Sequence, residues 1–553
     1  MFSNPRKKPL GFSNVGNDKV YNKNKDYKDE KYKAISLFDN NQFDDAYVSF
    51  KHLLKRKKND PQLYIFIGII EAKRENYKDA IINLKKAEEI DNKITQIYFN
   101  LGKIYNNLNE IKLSIYNYQK SIEVDSYFHL SYQNLILILF KEGNFEEAGL
   151  IIKKGLKHMP YEPILNYNYA LVLSKLNEYK EATNQFNKLL ISTPKDVGVK
   201  INFGHLLSEM HLFNEAKIQF ENAIKLEPHS PALHMSYSEL LFRMGEYEAS
   251  WNEYEWRFVG EKSEVPLNIS PIAIRGNEYN YDNFKKILLI AEQGLGDTFQ
   301  FIRYAKLLRE KGKIIYLWAP KQLHSIIKQS NLIDKFLSIE EASNFTEGCY
   351  VPLMSLPKLF EVPRKNSFSD EIYLKTCINI DKKWSKNLLR ENKRIIGIHW
   401  QGNPEQEKSD GIKNKRSFPL SCFTPLSKVK NISLISLQKG FGSEQFNNCQ
   451  FIDKFVENQK EIDEIWDFSE IASIIKNCDL IITSDSAIAH LSGGLGVETW
   501  LLLKYLPDWR WEVCGERTKW YKNIKIFRQT VKRNWNEVHE KVANEVKLKF
   551  INN

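Results

Sequence analysis

Long apolar runs are missing from this chain of 553 residues, and the longest have about six residues, such as Leu135 to Phe140. Because a membrane-spanning helix needs about 20 apolar residues, the sequence predicts no transmembrane segment. The segment Met1 to Lys33 is rich in Lys and Asn and lacks the apolar core of a secretory signal. We therefore expect a cytoplasmic protein.

Cysteine is scarce: all six lie in the second half of the chain and none forms a CxxC pair. This excludes a disulfide framework and the usual zinc patterns. The net charge is +11, but lysines and acidic residues are interspersed along the chain instead of forming a basic stripe. That pattern argues against nucleic-acid binding. An anionic acceptor or a peripheral contact with an anionic membrane stays open.

The first half of the chain repeats with a period of 34 residues. One column holds only small residues: Ala46, Ala80, Ser114, Ala148, Ala182, Ala216 and Ser250. Three residues earlier, a column holds only large apolar or aromatic residues: Phe43, Tyr77, Ile111, Phe145, Tyr179, Phe213 and Tyr247. Twelve residues before the small column, all but Ile136 are small: Ala34, Gly68, Gly102, Ile136, Ala170, Gly204 and Ser238. Three columns in register predict a repeat array.

The period and the columns resemble the tetratricopeptide repeat, which pairs two helices in each unit. Small residues are then expected where the helices cross, and units stack because one alone cannot bury its apolar face. Pro160, Pro194 and Pro228 should end three second helices, since proline cannot donate a backbone hydrogen bond. Arg257 stands where an earlier unit has Ala87. The seventh unit is therefore expected to cap the array or to dock on the next domain.

Such arrays usually present a concave groove to a peptide or protein, so the resemblance implies a protein partner. Asparagine recurs in the first helices: Asn100, Asn134, Asn166, Asn168 and Asn202. A ladder of amides could clamp an extended peptide, because each amide offers a donor and an acceptor. Asparagine is frequent in the whole chain, so composition alone is the alternative explanation.

After Gly260 the pattern changes to alternating strands and helices. A buried strand is predicted over Lys286–Ala291, followed by the glycine turn Glu292–Asp297. An amphipathic helix over Thr298–Glu310 and a strand over Lys313–Trp318 complete a βαβ unit of a parallel sheet.

A second parallel sheet is predicted after residue 385. Its strands are expected at Arg394–Trp400, Asn431–Leu437, Asp479–Thr483 and Val497–Leu503, with helices over Asp467–Asn477 and from Ala487 to Gly493. In open parallel sheets ligands bind beyond the carboxyl ends of the strands. Two such lobes facing each other across a cleft would form a GT-B fold.

Ser484, Asp485, Ser486 and His490 follow a predicted strand where it runs into a helix. Backbone N–H groups at a helix N-terminus can hold a diphosphate, and the two serines add hydroxyl donors. His490 lies on about the same helix face as Ser486. A helix cap by Ser484 or Asp485 with a packed histidine is the alternative.

The segment Ser484–Gly496, together with Glu292–Asp297, resembles the heptosyltransferase-like glycosyltransferases. From about residue 27 to 530 the chain resembles bacterial tetratricopeptide-repeat glycosyltransferases that carry this domain. The resemblance implies that Asp297 is the catalytic base, which takes the proton of an acceptor hydroxyl. Gly294 and Gly296 would let the backbone approach the donor phosphate. Helix capping by Asp297 is the alternative.

Other donor-site predictions come from loops at strand ends. Lys415, Arg416 and Lys439 would neutralise the leaving diphosphate. Gln438 would hydrogen-bond the base or ribose, and Gln401 begins the loop after the first strand of the second sheet. An exposed surface arginine is the alternative for Arg416. The cluster Asp508–Trp511 either closes over the donor or is a packed loop.

These patterns divide the chain into a disordered basic tail (1–26), seven tetratricopeptide repeats (27–260), a linker (261–283), an N-terminal lobe (284–384) and a C-terminal nucleotide-sugar-binding lobe with a C-terminal helix (385–553). No DxD pair stands at a strand end, and no GxSxG elbow or P-loop occurs. We therefore expect a hexosyl- or heptosyltransferase that needs no metal or cofactor. It would move a sugar from a nucleotide sugar to a hydroxyl of a glycan, a lipid-linked glycan or a protein.

Two alternatives stay open at this point. One is an enzyme like the protein O-GlcNAc transferases, in which repeats deliver a protein acceptor to the cleft. The other is a non-catalytic scaffold that binds proteins through its repeats. Asp297, Asp485, His490 and the glycine turns argue for the enzyme.

Overall fold

The structure is a computed structural model that describes residues 18–259, 281–362, 371–388, 393–404, 407 and 416–551. The chain separates between Pro194 and Lys195 into two compact units. The predicted linker, 261–283, lies outside the described residues except for a 3-10 turn over Tyr281–Asn283. No helix in the described part of the chain is long and apolar enough to cross a bilayer.

In its described residues the first unit consists of paired helices. The first helices of the pairs are α1 (Asp18–Asp39), α3 (Pro61–Lys73), α5 (Thr95–Asn107), α7 (His129–Lys141) and α9 (Pro163–Lys175). The second helices are α2 (Phe43–Arg56), α4 (Tyr77–Ile90), α6 (Ile111–Val124), α8 (Phe145–His158) and α10 (Tyr179–Ser192). Helix α1 begins at Asp18, inside the range 1–26 predicted as a tail, and residues 1–17 lie outside the described part.

The residues of each sequence column occupy the same structural position in every repeat. The large apolar column supplies the first residue of every second helix, and the small column three residues later is fully buried. A Cβ added to Gly68 would lie 2.9 Å from Leu84 Cγ, and one added to Gly102 would lie 2.8 Å from the Tyr118 ring. The two helices of a repeat therefore need small residues where they cross, as predicted.

The second unit opens with four more helices of the same pattern. They are α11 (Val197–Glu209), α12 (Phe213–Leu226), α13 (Pro231–Met244) and α14 (Tyr247–Tyr254). A 3-10 turn, Glu255–Phe258, follows α14. Pro160, Pro194 and Pro228 each stand just beyond the end of a second helix, as expected for prolines that stop helices.

Two parallel sheets follow in the second unit. The first has the order β3-β2-β1-β4 and is made of β1 (Lys286–Ile290), β2 (Ile314–Trp318), β3 (Lys335–Phe336) and β4 (Cys349–Pro352). The second has the order β6-β5-β7-β8-β9 and is made of β5 (Arg394–His399), β6 (Ile432–Ser436), β7 (Leu480–Ser484), β8 (Thr499–Leu503) and β9 (Ile524–Arg528). Every residue of β6, β7 and β8 is buried, as in parallel sheets covered on both faces. Each predicted strand is present, and β3, β4 and β9 are additional.

Helices connect and cover the strands. They are α15 (Leu295–Phe301), α16 (Ala305–Glu310), α17 (His324–Gln329), α18 (Ile339–Ser343), α19 (Leu356–Leu359), α20 (Ile378–Leu388), α21 (Thr424–Ser427), α22 (Gln459–Asp463), α23 (Phe468–Lys476), α24 (Ala487–Leu495) and α25 (Trp535–Ile551). The single helix predicted from Thr298 to Glu310 is corrected to α15, a 3-10 turn and α16. Helix α15 starts at Leu295 because the Asp297 side chain accepts the N–H of Gly294 and closes the first turn.

The seventh repeat docks on the sheets through a buried ion pair. Arg257 Nε donates to Glu292 Oε2 at 2.8 Å, and Arg257 Nη2 donates to Ser355 Oγ at 2.7 Å. The ring of Phe242 in α13 stacks on Trp509 with centroids 4.0 Å apart. The predicted docking role of the seventh repeat is therefore confirmed within the second unit.

Candidate functional site

The two glycine-containing motifs of the sequence lie against each other. Gly296, in the first turn of α15, packs on the start of α24: a Cβ added to it would lie 3.0 Å from His490 Cδ2 and 3.4 Å from Ala487 Cα. Helix α15 follows β1 and α24 follows β7, so one strand end from each sheet is involved. Ligands of parallel sheets bind at such ends. We call the surroundings of Gly296 and Ala487 the candidate site.

Both carboxylate oxygens of Asp297 accept a hydrogen bond. Oδ2 accepts the N–H of Gly294 at 3.0 Å, and Oδ1 accepts Arg510 Nη2 at 2.5 Å. Asp297 therefore caps α15 and at the same time forms an ion pair with a residue that follows β8. Each carboxylate oxygen has two lone-pair sites, so both contacts leave Asp297 with acceptor capacity.

Arg510 joins the two sheets at this point. Its Nε donates to Gln300 Oε1 at 3.1 Å, and its Nη1 donates to Asp508 Oδ1 at 2.8 Å. Burial alone would lower the pKa of Arg510, but the carboxylates of Asp297 and Asp508 raise it instead. The guanidinium is a charged group held in one position by three acceptors.

Asp485 is a buried carboxyl group, whereas Asp508 is partly exposed and lies in a different charge environment. Asp485 Oδ1 accepts Trp511 Nε1 at 2.8 Å, and burial, followed by the charge of Asp508, raises the pKa of Asp485. For Asp508 the burial effect is outweighed by Arg510, which lowers its pKa. The raised pKa makes Asp485 easier to protonate than an exposed aspartate.

The serines of the motif face a histidine and do not cap α24. Ser486 is the N-cap residue, yet its side chain makes no capping hydrogen bond. Ser486 Oγ lies 3.2 Å and Ser484 Oγ 3.4 Å from Nδ1 of His399, with the donor set by the histidine tautomer. Burial lowers the pKa of His399 to about 3, so the ring is neutral. The first N–H groups of α24 thus lack a side-chain cap, which is the arrangement that suits an anion.

His490 is a packed residue in the wall of the candidate site. Its Nδ1 lies 3.0 Å from Tyr521 Oη, and its ring stacks on Trp511 with centroids 5.0 Å apart. Burial first, and then the charge of Arg510, lower the pKa of His490 well below its usual range. A neutral ring in contact with Gly296 can shape the site without adding charge.

Gln438 and Gln401 build the loops of the second sheet. Gln438 Oε1 accepts the N–H groups of Trp400 and Gln401 at 3.2 and 3.0 Å. Its Nε2 donates to the carbonyls of Gln401 and Phe441 at 2.8 and 2.6 Å. The Gln438 amide therefore ties the loop after β5 to the loop after β6. Direct contacts from either glutamine to a nucleotide stay a prediction.

Arg416 and Lys439 differ in their surroundings. Arg416 Nε donates to Glu407 Oε1 at 3.3 Å; burial opposes its charge, but Asp485 and Glu407 raise its pKa. Arg416 is thus a half-buried cation close to the start of α24. Lys439 Nζ donates to the carbonyl of Ile462, and burial lowers its pKa. Lys415, beside Arg416, lies outside the described residues.

Sequence reasoning did not single out His399 or Gln300, and it named Arg510 only as part of the cluster Asp508–Trp511. Arg510 lies in the cluster Asp508–Trp511, and the packed-loop alternative for that cluster holds for Trp509, which is buried against Phe242. His399 ends β5, and that position at a strand end was the signal for it. For Gln300 the sequence offered no indication of a role in the site, except that it follows Asp297 by three residues on the same helix.

A family model described as "Tetratricopeptide repeat" matches residues 95–128. That segment contains α5, α6 and the connection to α7. Helices α5 and α6 therefore match a tetratricopeptide repeat. The 34-residue columns extend the same pattern from α1 to α14. No curated protein matches the chain.

Three solved structures similar to the chain are described as tetratricopeptide repeat proteins. A tetratricopeptide repeat protein from Parabacteroides merdae is 17% identical, with 43% of this chain and 95% of that chain covered and a TM-score of 0.34. The C-terminal part of a TPR repeat-containing protein from Cytophaga hutchinsonii is 19% identical, with 43% and 100% covered and a TM-score of 0.37. YrrB, described as a TPR protein with an unusual peptide-binding site, is 17% identical, with 32% and 92% covered and a TM-score of 0.29.

Proposed function

We propose that the two sheets of the second unit form a glycosyltransferase of the GT-B type, which moves a sugar from a nucleotide sugar to a hydroxyl acceptor without a metal ion. The observation that carries the proposal is the contact between α15 and α24 at Gly296 and Ala487. One side of this contact supplies the carboxylate of Asp297. The other side supplies a helix start without a side-chain cap, which suits a diphosphate.

In the proposed reaction the acceptor oxygen attacks the anomeric carbon of the donor sugar. The bond between that carbon and the diphosphate oxygen breaks, and the hydroxyl proton passes to Asp297. Negative charge grows on the departing diphosphate, and the start of α24 and the cation of Arg416 stabilise it. A single displacement of this kind inverts the configuration at the anomeric carbon.

Arg510 has a positioning role in this scheme. It holds Asp297 Oδ1 and Gln300 Oε1 on α15 while it is itself anchored to Asp508. The base is therefore kept in one orientation relative to α24, and a fixed orientation of reacting groups supports rate enhancement.

The repeats of the first unit are proposed to bind the acceptor or a separate protein partner. Asn100, Asn134 and Asn168 occupy one repeat position, and each Nδ2 donates to the carbonyl four residues earlier at 2.7, 3.1 and 2.9 Å. One N–H of each amide is used in this way, and an amide has two. Asn166 differs, because its amide binds Pro160 and Glu162 and accepts from Gln185.

Two competing proposals remain. A protein acceptor, as in O-GlcNAc-transferase-like enzymes, changes the substrate and keeps the site. A non-catalytic scaffold is favoured by the ion pair between Asp297 and Arg510, because the proposed base is already bound to an arginine. The buried ionisable groups of Asp485 and Arg510 favour the enzyme, since such groups are costly to desolvate and are often kept for function.

The proposal is tested by incubating the full chain with UDP-, GDP- and ADP-sugars in the presence of a chelator and measuring release of the nucleoside diphosphate. We expect release from one donor class, unaffected by the chelator and lost in Asp297→Asn. Activity that disappears with chelator and returns with Mn²⁺ would refute the metal-independent reaction. No release from any donor would favour the scaffold.

A further inference from the structure

The ion pair between Asp297 and Arg510 joins two segments that are far apart in the sequence. One is the glycine turn Glu292–Asp297 after β1, and the other is the segment 504–512 after β8. Each of them also contacts the seventh repeat, which consists of α13, α14 and the 3-10 turn Glu255–Phe258. The seventh repeat therefore touches both of the segments that supply the ion pair.

The first residue of the glycine turn, Glu292, is held by Arg257 of the seventh repeat. Glu292 Oε2 accepts Arg257 Nε at 2.8 Å, and Oε1 accepts Arg257 Nη2 at 3.1 Å. Oε1 also accepts the N–H of Met354 at 3.0 Å, and the Glu292 side chain is fully buried. Apolar contacts would dock a repeat without the cost of burying charged groups. The directional hydrogen bonds add something that docking does not need, namely a fixed position for the start of the turn.

The second residue of the turn, Gln293, is bound by the seventh repeat as well. Its Nε2 donates to Tyr254 Oη at 2.8 Å. Tyr254 is the last residue of α14, and its buried ring packs edge-on against Phe242 and Trp251, with centroids 6.0 and 5.9 Å away. A close-packed ring has little freedom to move, so its hydroxyl is a fixed acceptor for the turn that leads to Asp297.

The segment 504–512 is held through a ring contact. Trp509 stacks on Phe242 with centroids 4.0 Å apart and meets the edge of Trp251 at 5.6 Å. Arg510 directly follows Trp509 in the chain. The stacked rings therefore fix the stretch of backbone from which the guanidinium reaches Asp297.

We propose that the seventh repeat is a part of the catalytic site, in which Tyr254, Arg257 and Phe242 are positioning residues. The glycine turn follows a strand of the first sheet and the segment 504–512 follows a strand of the second. Neither sheet alone fixes the distance between Asp297 and Arg510, whereas the seventh repeat supports both segments. Because turnover depends on a fixed arrangement of the reacting groups, loosening either support should lower it.

The variant Tyr254→Phe tests the support of the turn, because it removes only the hydroxyl that Gln293 binds. Release of nucleoside diphosphate from the donor sugar should fall by roughly three- to tenfold in kcat. The Kd for the nucleoside diphosphate that the parent chain releases, measured by calorimetry, should stay unchanged. Tyr237→Phe is the matched control, since Tyr237 is a buried tyrosine of α13 that donates to Glu221 of α12 at 3.0 Å and does not bind the turn. It should keep the kcat of the parent.

Amide hydrogen exchange follows the turn directly and needs no substrate. Tyr254→Phe should speed exchange in Leu295–Phe301, the residues of α15, because local opening becomes easier when a supporting contact is lost. Tyr237→Phe should leave this exchange as it is in the parent chain. The effect on turnover rests on the proposed function, whereas the effect on exchange does not.

A second pair of variants separates positioning from lost stability. Phe242→Leu and Phe220→Leu each shorten a buried ring, Phe242 under Trp509 and Phe220 inside the sixth repeat. Both should lower the melting temperature, because each removes packed atoms. Only Phe242→Leu should also lower kcat at a temperature where both variants are folded.

Three results would overturn the inference. They are unchanged exchange of α15 in Tyr254→Phe, a kcat of Tyr254→Phe equal to that of an active parent, and an equal fall in kcat for Phe242→Leu and Phe220→Leu. A parent chain that releases no nucleoside diphosphate would instead refute the proposed function. The exchange of α15 would then decide alone whether the seventh repeat holds the turn.

Discussion

At the scale of the residue, one arginine connects the parts of the candidate site. Arg510 follows β8 in the second sheet and binds two side chains of α15, which follows β1 in the first. Only a planar group with several N–H donors can satisfy Asp297, Gln300 and Asp508 together. The site therefore depends on this side chain for its geometry as well as for its charge.

The variant Arg510→Lys should show whether Arg510 positions Asp297 or binds the nucleotide. A lysine keeps the positive charge but cannot hold three acceptors in a fixed arrangement, so turnover should fall by about ten- to a hundredfold. Nucleotide binding, measured by calorimetry, should change little. Asp297→Asn is the companion variant, because it should keep nucleotide binding and lose turnover. Unchanged turnover in Arg510→Lys would exclude the positioning role.

His539 gives the second prediction at this scale. It lies on α25 against Phe418 and Phe423, with ring centroids 4.6 and 5.0 Å away, and burial lowers its pKa to about 4. An unfolded histidine takes up a proton near pH 6.5. The stabilising contribution of His539 is thus complete above about pH 6.5 and is lost as the pH falls towards 4, by up to about 1.4 kcal/mol per pH unit.

His539→Phe should therefore make the free energy of unfolding less dependent on pH between about 6.5 and about 4. Urea unfolding at several pH values measures this slope. The exposed His129 on α7 provides the control, since His129→Phe should leave the slope unchanged. An equal slope in His539→Phe and the parent would show that His539 is not buried in the neutral form.

At the scale of the element, the close packing of helices in the repeats depends on glycine at particular positions. In α5 a Cβ on Gly102 would lie 2.8 Å from the Tyr118 ring, whereas in α8 a Cβ on Gly149 would lie 3.3 Å from Val172 Cγ1 as its nearest neighbour. The first contact is too short for a rigid buried ring. The second is tight but meets the end of a single side chain.

Gly102→Ala should lower the unfolding midpoint of the chain, corresponding to roughly 1–2 kcal/mol of overpacking that exceeds the gain in helix propensity. Gly149→Ala should leave the midpoint unchanged or raise it, by up to about 1 kcal/mol in stability. Far-UV circular dichroism against urea compares the two. Equal effects of both substitutions would contradict the packing observed at Gly102.

The repeats and most strands were predictable because their signals are local and regular. The apolar column fixes the first residue of each second helix, and buried strands such as β7 are short apolar runs that end in small polar residues. Strand β3 escaped prediction because it has only Lys335 and Phe336. Helix α15 was placed too late because capping by Asp297, a side-chain contact, decides its start.

The candidate site was predictable only in part, since its contacts join distant segments. The positions of Asp297 and Ser486 after strands indicated that they lie at sheet ends, which the structure shows. That Arg510 reaches Asp297, 213 residues away in the chain, has no sequence signal. The hydrogen bonds by which Gln438 ties two neighbouring loops together had no sequence signal, and its predicted contact with a nucleotide stays a prediction.

At the scale of the whole molecule, each of the two units is stabilised internally by a different kind of contact. In the first unit each helix pair packs chiefly on its neighbours, as in other repeat arrays. In the second unit the seventh repeat, both sheets and the candidate site share one hydrophobic core, which includes Trp251, Phe301 and Trp509. A repeat array of this kind suits protein binding. A single shared core suits a site whose residues are held in fixed positions.

The central claim is that a nucleotide binds where α15 meets α24, and thermal unfolding of the full chain tests it most directly. The melting temperature would be measured with millimolar UDP, GDP, ADP or CMP and no metal. Because a ligand of the folded state stabilises it by mass action, about 2.7 kcal/mol at a hundredfold excess over Kd, one nucleotide should raise the melting temperature by several degrees. Ser486→Trp should abolish that shift by filling the start of α24. No shift with any of the four nucleotides would contradict the account and leave the repeats as the functional part of the chain.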